Sequence, residues 1–197
     1  MKKRPLFWID LEMTGLDDTV DSILELAIVV TDLELKPLEE YHRVVLQPPE
    51  VLAGMNDWCK KTHGESGLTA AVPAGTPLGV VEKEVLELIG RHYSARDQIV
   101  LVGNSVSNDR RFIDRYLPEL AKRLHYRLID VSSFKEIFRE KFGLAFQKKN
   151  SHRAVDDIHE SIQELAYYLS FVQVGASGTS AGSAPGDSAV QPEGASK

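Results

Sequence analysis

Residues 6–16 read LFWIDLEMTGL, and the two acids in this stretch, Asp10 and Glu12, decide how the rest of the chain is read. Leu6–Glu12 is short and apolar on both faces, the pattern of a strand covered on each side of a sheet. Asp10 and Glu12 are two apart on that strand, so both project from one face. Charged side chains in an otherwise apolar central strand are costly unless something compensates them. A divalent cation is one compensation, because hard carboxylate oxygens suit Mg²⁺ or Mn²⁺. An edge position with both acids in water is the other, and a bare Asp-x-Glu does not choose between them.

Working outward, Leu24–Thr31 contains ELAIVVT, a β-branched run that predicts a second strand. Glu40–Leu46 predicts a third, with Asp32–Pro37 as the turn between them. Residues 47–79 predict loops with a short helix around Met55–Thr62. Val81, Val85, Leu88, Ile89 and His92 recur at helical spacing. A fourth strand follows over Ile99–Val102, then a helix over Asn108–Leu124 that Pro118 kinks or splits. Arg127–Val131 predicts the fifth strand and Ser132–Phe142 a helix with Ser132 as its N-cap. Ala154–Phe171 predicts the last helix. The order gives an α/β fold: a mixed five-stranded sheet flanked by helices, in a single domain.

The chain has 197 residues, room for one sizeable core. We place that domain over residues 1–174. Residues 175–197, GASGTSAGSAPGDSAVQPEGASK, carry almost nothing able to offset the entropy of ordering and predict a disordered tail. No apolar run is long enough to span a bilayer, and the stretch after Met-Lys-Lys-Arg-Pro is broken at once by acids, so a cytoplasmic protein is expected. Cys59 is alone and offers neither a disulfide nor a thiolate metal site. Net charge is −6, against the broad basic surface of a protein that tracks long nucleic acid; any nucleic-acid substrate should be short.

Two further acids complete the candidate set. Asp109, in GNSVSNDRRF, stands near a helix start, where the helix dipole alone would favour an acid. Asp157, in HRAVDDIHESI, opens the last helix beside Asp156, and charge does not separate the two. His152 precedes them in the same segment.

Together, WIDLEMTGL, NSVSNDRRF and HRAVDDI resemble the three motifs of the DEDDh family of 3′→5′ exonucleases, in their order. The resemblance is closest to the oligoribonucleases, extending through THGESGL, HYRLIDVSS and HRAVDDIHESIQELAYYL over residues 6 to about 170. Loop lengths depart between residues 68 and 98 and between 142 and 151.

This resemblance implies an RNase H-like fold and a metal-dependent exoribonuclease that degrades short RNA, dinucleotides especially, to nucleoside 5′-monophosphates. It implies two Mg²⁺ or Mn²⁺ ions held by Asp10, Glu12, Asp109 and Asp157, with the His-x-Ala-x-Asp-Asp spacing selecting Asp157 over Asp156. It makes His152 the general base, a role suited to an intrinsic pKa near ~6.5. Leu16 and Trp58 would meet the bases. Ser105, Arg127, Ser132 and His63 would cap the 5′ phosphate. Tyr126 would reach the partner's site in a homodimer. A DNA-directed enzyme of the same class shares the metal site, and a non-catalytic nucleotide-binding module shares the fold.

Overall fold

The computed structural model describes residues 4–147 and 153–173. Its centre is a five-stranded sheet of order β3-β2-β1-β4-β5. The strands are β1 (Leu6–Met13), β2 (Ile23–Thr31), β3 (Pro37–Val44), β4 (Ile99–Gly103) and β5 (Leu124–Asp130). β1 pairs antiparallel with β2 and parallel with β4; β2–β3 is antiparallel and β4–β5 parallel. Asp10 and Glu12 therefore lie on the middle strand, which excludes the edge reading.

β1 divides its side chains between two cores. Phe7, Ile9, Leu11 and Met13 enter the larger one, with Val81, Val85, Leu88 and Ile89 of α4 (Leu78–His92) and Phe112 and Ile113 of α5 (Ser107–Tyr116). Trp8 enters the other, against Val131 and against Ala154, Ile158, Ile162 and Leu165 of α8 (Ala154–Leu169). Asp10 and Glu12 continue the Trp8 face and so point toward the start of α8. Each large apolar side chain in that seam contributes about 1.5–3 kcal/mol by leaving water. Together they fix the roll of the helix.

The short helix expected around Met55–Thr62 is α2 (Asp57–Glu65), and much of the segment expected as loops around it is helical too: α1 (Pro49–Ala53), α3 (Leu68–Ala71) and a 3₁₀ turn over Val72–Ala74. Cys59, Met55, Leu68 and Val72 pack on Leu24, tying α2 to the sheet. Asn56 caps α2 by accepting from the Cys59 amide at 2.8 Å.

The split expected at Pro118 is present, while several boundaries differ from the sequence reading. The helix expected over Asn108–Leu124 is two, α5 and α6 (Pro118–Ala121), broken at Leu117 (φ −129°, ψ 65°). Proline drives its predecessor out of the helical region. β5 then starts at Leu124, which is buried, rather than at Arg127. β3 starts at Pro37 rather than Glu40; it is an edge strand of mostly polar residues, so apolar alternation does not mark its ends. Finally α7 (Val131–Phe142) is capped by Asp130, whose carboxylate accepts from the Ser132 amide, rather than by Ser132.

Among the described residues no helix is long and apolar enough to cross a membrane. The tail expected over 175–197 and the expected general base His152 both lie outside the described residues.

Candidate active site

Carboxylate oxygens of Asp10, Glu12 and Asp157 lie within 4.8 Å of one another. At an effective dielectric of ~20, each ionised pair so placed repels by roughly 3–4 kcal/mol. The Glu12 pKa registers this: burial first, then the charges of Asp157, Glu25 and Asp109, push it up to about 8, with Arg153 pulling the other way. A cluster of hard oxygen donors in which like charge outweighs the opposing Arg153 fits a divalent cation.

Asp109 joins from the opposite face. β4 pairs with β1 only as far as Trp8, after which the strands part. Gly103, at the end of β4, still lies close to β1: any Cβ there would stand 2.8 Å from the Ile9 carbonyl. Beyond it the Leu11 amide, set between the two acids of β1, donates to Asp109 Oδ1 at 2.9 Å. Asp109 is buried, and burial raises its pKa while that amide opposes the rise.

Asp157 is presented by a polar ridge on α8. Asp157, Ser161, Glu164 and Tyr168 follow at helical spacing; Ser161 Oγ donates to the Asp157 carbonyl at 2.7 Å, and Tyr168 Oη donates to Glu164 at 3.2 Å. Asn104 Nδ2 donates to both Ser161 and Glu164 (2.7 and 3.0 Å), tying the ridge to the end of β4. Asp156, one residue earlier, is rotated about 100° around the helix axis and is exposed.

Beside Glu12 opens a cavity of about 430 Å³, lined among others by Leu11, Leu16, Asn56, Trp58 and His63. Leu16 and Trp58 are 64% and 63% exposed, which rules out a core role for either and leaves their apolar faces at the cavity. The turn carrying Leu16 is rigidly built. Asp21 accepts from Thr14 Oγ1 and the Asp17 amide, and its carboxylate occupies the space of a Gly15 side chain. Arg111 donates to the Leu16 carbonyl at 3.0 Å.

His63 is buried in the cavity wall. Its Nε2 bonds the Met13 carbonyl at 2.9 Å, and its Nδ1 lies 3.9 Å from Glu12 with no hydrogen-bond partner. It therefore stands with Trp58 and Leu16 rather than with the serines. Ser105 and Ser132 do meet: the Ser105 amide donates to Ser132 Oγ and to Asp130, each at 3.0 Å, with Ser105 at φ 50°. Arg127 and Tyr126 are exposed on β5, the guanidinium 5.3 Å from the Tyr126 ring centre.

Sequence reasoning missed Glu25, Arg153, Asp130 and Asn104, and set Arg111 aside as a solvated or acid-paired residue where it holds the Leu16 carbonyl. Only Glu25 carried a signal, an acid in the strand otherwise most apolar, and it was passed over. It is fully buried and its register partner is Glu12. Burial alone would raise its pKa, but hydrogen bonds from His42, Arg153 and the Ala154 amide prevail and hold it at about 2.

The Exonuclease (RNase_T) family matches residues 7–165. The human protein called "Oligoribonuclease, mitochondrial" is 47% identical over 169 residues, 83% of this chain and 71% of that one. The Hahella chejuensis protein called "Oligoribonuclease" is 45% identical over 169 residues, 83% of this chain and 92% of its own length. Among solved structures, Exonuclease I from Methylocaldum szegediense superposes with TM-score 0.58 at 17% identity, covering 84% of this chain and 40% of that one. A full-length 3′-exonuclease superposes with TM-score 0.61 at 17% identity, covering 86% and 62%. At such identities these structures speak for the fold, whereas the family match spans most of the sheet and both its helical layers. The chain belongs to the Exonuclease (RNase_T) family.

Proposed function

We propose that this protein is a metal-dependent 3′→5′ exoribonuclease acting on short oligoribonucleotides, dinucleotides above all, and releasing nucleoside 5′-monophosphates. One observation carries the reading. Three carboxylates converge within 4.8 Å at the edge of a cavity whose mouth exposes Trp58 and Leu16. The relatives called oligoribonuclease supply the substrate class.

Asp10, Glu12, Asp157 and Asp109 would together hold two Mg²⁺ or Mn²⁺ ions. A bound divalent cation supplies Lewis acidity toward the phosphoryl oxygens and compensates charge on the leaving oxygen. The protein's own groups do the rest. Trp58 offers a face on which any base stacks, worth about 1–3 kcal/mol. Leu16 wedges beside it. His63 lines the same wall. His152 takes the proton of the attacking water.

Ser105, Ser132 and Arg127 receive the 5′ phosphate of a short substrate, Arg127 through charge-assisted bonds. Such a cap admits a dinucleotide and excludes a long strand, in keeping with the acidic net charge of −6. Tyr126, 76% exposed, is assigned to the neighbouring site of a homodimer.

The test is a timed digestion of 5′-labelled RNAs of two to about ten nucleotides, with Mg²⁺ and with chelator, beside a DNA dinucleotide. We expect rapid, metal-dependent conversion of the RNA dinucleotide and slower loss of longer chains. Length-independent trimming would remove the cap, and equal use of the DNA dinucleotide would remove the preference for RNA.

A further inference from the structure

Arg153 is the N-cap residue of α8, yet its side chain makes no capping bond. The cap comes from another strand. Glu25 Oε2 accepts from the Ala154 amide at 3.2 Å, so a carboxylate of β2 sits on the positive end of the helix that carries Asp157. The same carboxylate accepts from Arg153 through both oxygens, Nη2 to Oε1 at 2.7 Å and Nε to Oε2 at 3.3 Å, with Nε also 3.1 Å from Oε1, a forked contact that fixes direction as well as distance. His42 Nε2, from β3, completes its partners. Arg153 Nη1 also reaches the Ser66 carbonyl, which closes the end of α2, at 3.5 Å.

This cluster thus meets three of the elements that carry the site, β1, α8 and α2. Glu25 is the cross-strand partner of Glu12. Arg153 gives its carbonyl to the amide of Asp157 at 3.0 Å, the bond that sets the first turn of α8. Ser66 ends the helix bearing Trp58 and His63. A buried charge on a central strand is costly to keep, and the larger part of what Glu25 touches belongs to the start of α8.

We infer that Glu25 and Arg153 are positioning residues for metal binding: they lock the first turn of α8 so that Asp157 meets Asp10 and Glu12 at the distance a divalent cation requires. The inference rests on the proposed reading of these three acids as the metal site.

Two variants of the full chain separate position from electric field, because they change the local charge in opposite directions. Glu25→Gln removes a negative charge beside Glu12; Arg153→Gln removes a positive one. Mn²⁺ binding without substrate is measured by calorimetry, followed by kcat and KM on a 5′-phosphorylated RNA dinucleotide. Acting by position, both variants weaken Mn²⁺ binding and lower kcat by roughly tenfold to a hundredfold, with KM within about twofold. Acting by field alone, Arg153→Gln tightens Mn²⁺ binding while Glu25→Gln weakens it, which overturns the inference. Folded variants with wild-type Mn²⁺ affinity and kcat overturn it as well and leave the pair a stabilising contact. Arg153 is partly exposed, so its variant remains a test if Glu25→Gln fails to fold. Asp157→Asn serves as the reference. If neither it nor chelation alters the wild-type signal, the metal-site reading itself falls and this inference falls with it; if the reference loses Mn²⁺ and the two variants do not, only the inference falls.

Discussion

Glu12 and Glu25 are register partners across β1 and β2 on the same face of the sheet, and they meet opposite fates. Glu25 is the more deeply buried, yet its pKa falls to about 2, because a guanidinium, an imidazole and a helix-start amide all address it. Glu12 is partly accessible, yet its pKa rises to about 8, because burial comes first and its neighbours Asp157, Glu25 and Asp109 add to it. Burial is common to both and cannot explain the difference. What differs is whether the fold supplies the counter-charge. At Glu25 it does, and the carboxylate serves the architecture. At Glu12 the charge of Arg153 is outweighed by burial and three acids, and the balance suits something that binds.

The comparison breaks most severely at Asp157. Asp157→Asn or Asp10→Asn removes a cluster oxygen charge without changing volume, and we expect dinucleotide hydrolysis to fall by at least about a thousandfold, roughly 4 kcal/mol of transition-state stabilisation. Initial rates at saturating Mg²⁺ or Mn²⁺ check this; retention of even a tenth of the activity would place the metal elsewhere.

The same substitution at the two glutamates should then move stability in opposite directions. In metal-free protein, Glu12→Gln relieves repulsion and should stabilise by about 2–3 kcal/mol near neutral pH, given a pKa raised from 4.5 to about 8. Glu25→Gln should destabilise by about 3 kcal/mol, given a pKa lowered from 4.5 to about 2. Urea unfolding in chelator reads both, and shifts of the same sign would dissolve the contrast.

The pH profile of the metal-free protein sharpens the point without any mutation. Glu25 stabilises fully above its unfolded pKa, and that contribution is lost as pH falls from about 4.5 through about 2. Glu12 works the other way: the folded state binds the proton more tightly, so stability declines as pH rises from 4.5 through about 8, and Asp109, also raised, adds to the decline. Melting in chelator should therefore be highest in mildly acidic buffer and fall toward pH ~8, whereas Mn²⁺ should flatten the alkaline limb. A profile in chelator that keeps rising to pH ~8 would contradict the raised Glu12.

A smaller effect is expected at Trp58, whose ring is 63% exposed. Trp58→Ala should leave the melting temperature within a degree or two while raising KM for the dinucleotide about tenfold, the worth of one lost stack. An unchanged KM would detach the ring from the substrate.

How much of this could be read beforehand follows from what each signal depends on. The sheet and its central strand were legible because Leu6–Met13 and Ile23–Thr31 are apolar on both faces, and only a strand between neighbours has that pattern. Asp10 and Glu12 were legible because they interrupt it. The start of β3 was not, since an edge strand exposes Glu39 and Glu40 and carries no alternation. The break at Leu117 was legible, since Pro118 interrupts an otherwise continuous apolar stripe. Glu25, Arg153 and Asn104 act through partners 128 and 60 residues away in sequence, a relation that no local pattern encodes.

The smallest expected effect is the most discriminating, since Asp156 and Asp157 are chemically identical neighbours on one helix. A helix turns about 100° per residue, and the seam of Ala154, Ile158, Ile162 and Leu165 fixes which way each points. Asp157 falls on the buried side, on the ridge with Ser161 and Glu164, and reaches Asp10 and Glu12. Asp156 falls in water, where its service is to the helix dipole, worth about 0.3–1 kcal/mol. Asp156→Asn should accordingly leave Mn²⁺ affinity and kcat within about twofold of wild type, with a stability loss of less than about 1 kcal/mol. The carboxyl group, the helix and the distance to the dipole are nearly the same in the two cases, so a large effect at Asp156 could only mean that α8 is rolled by one residue from the packing described, and that the acid facing Glu12 has been misassigned.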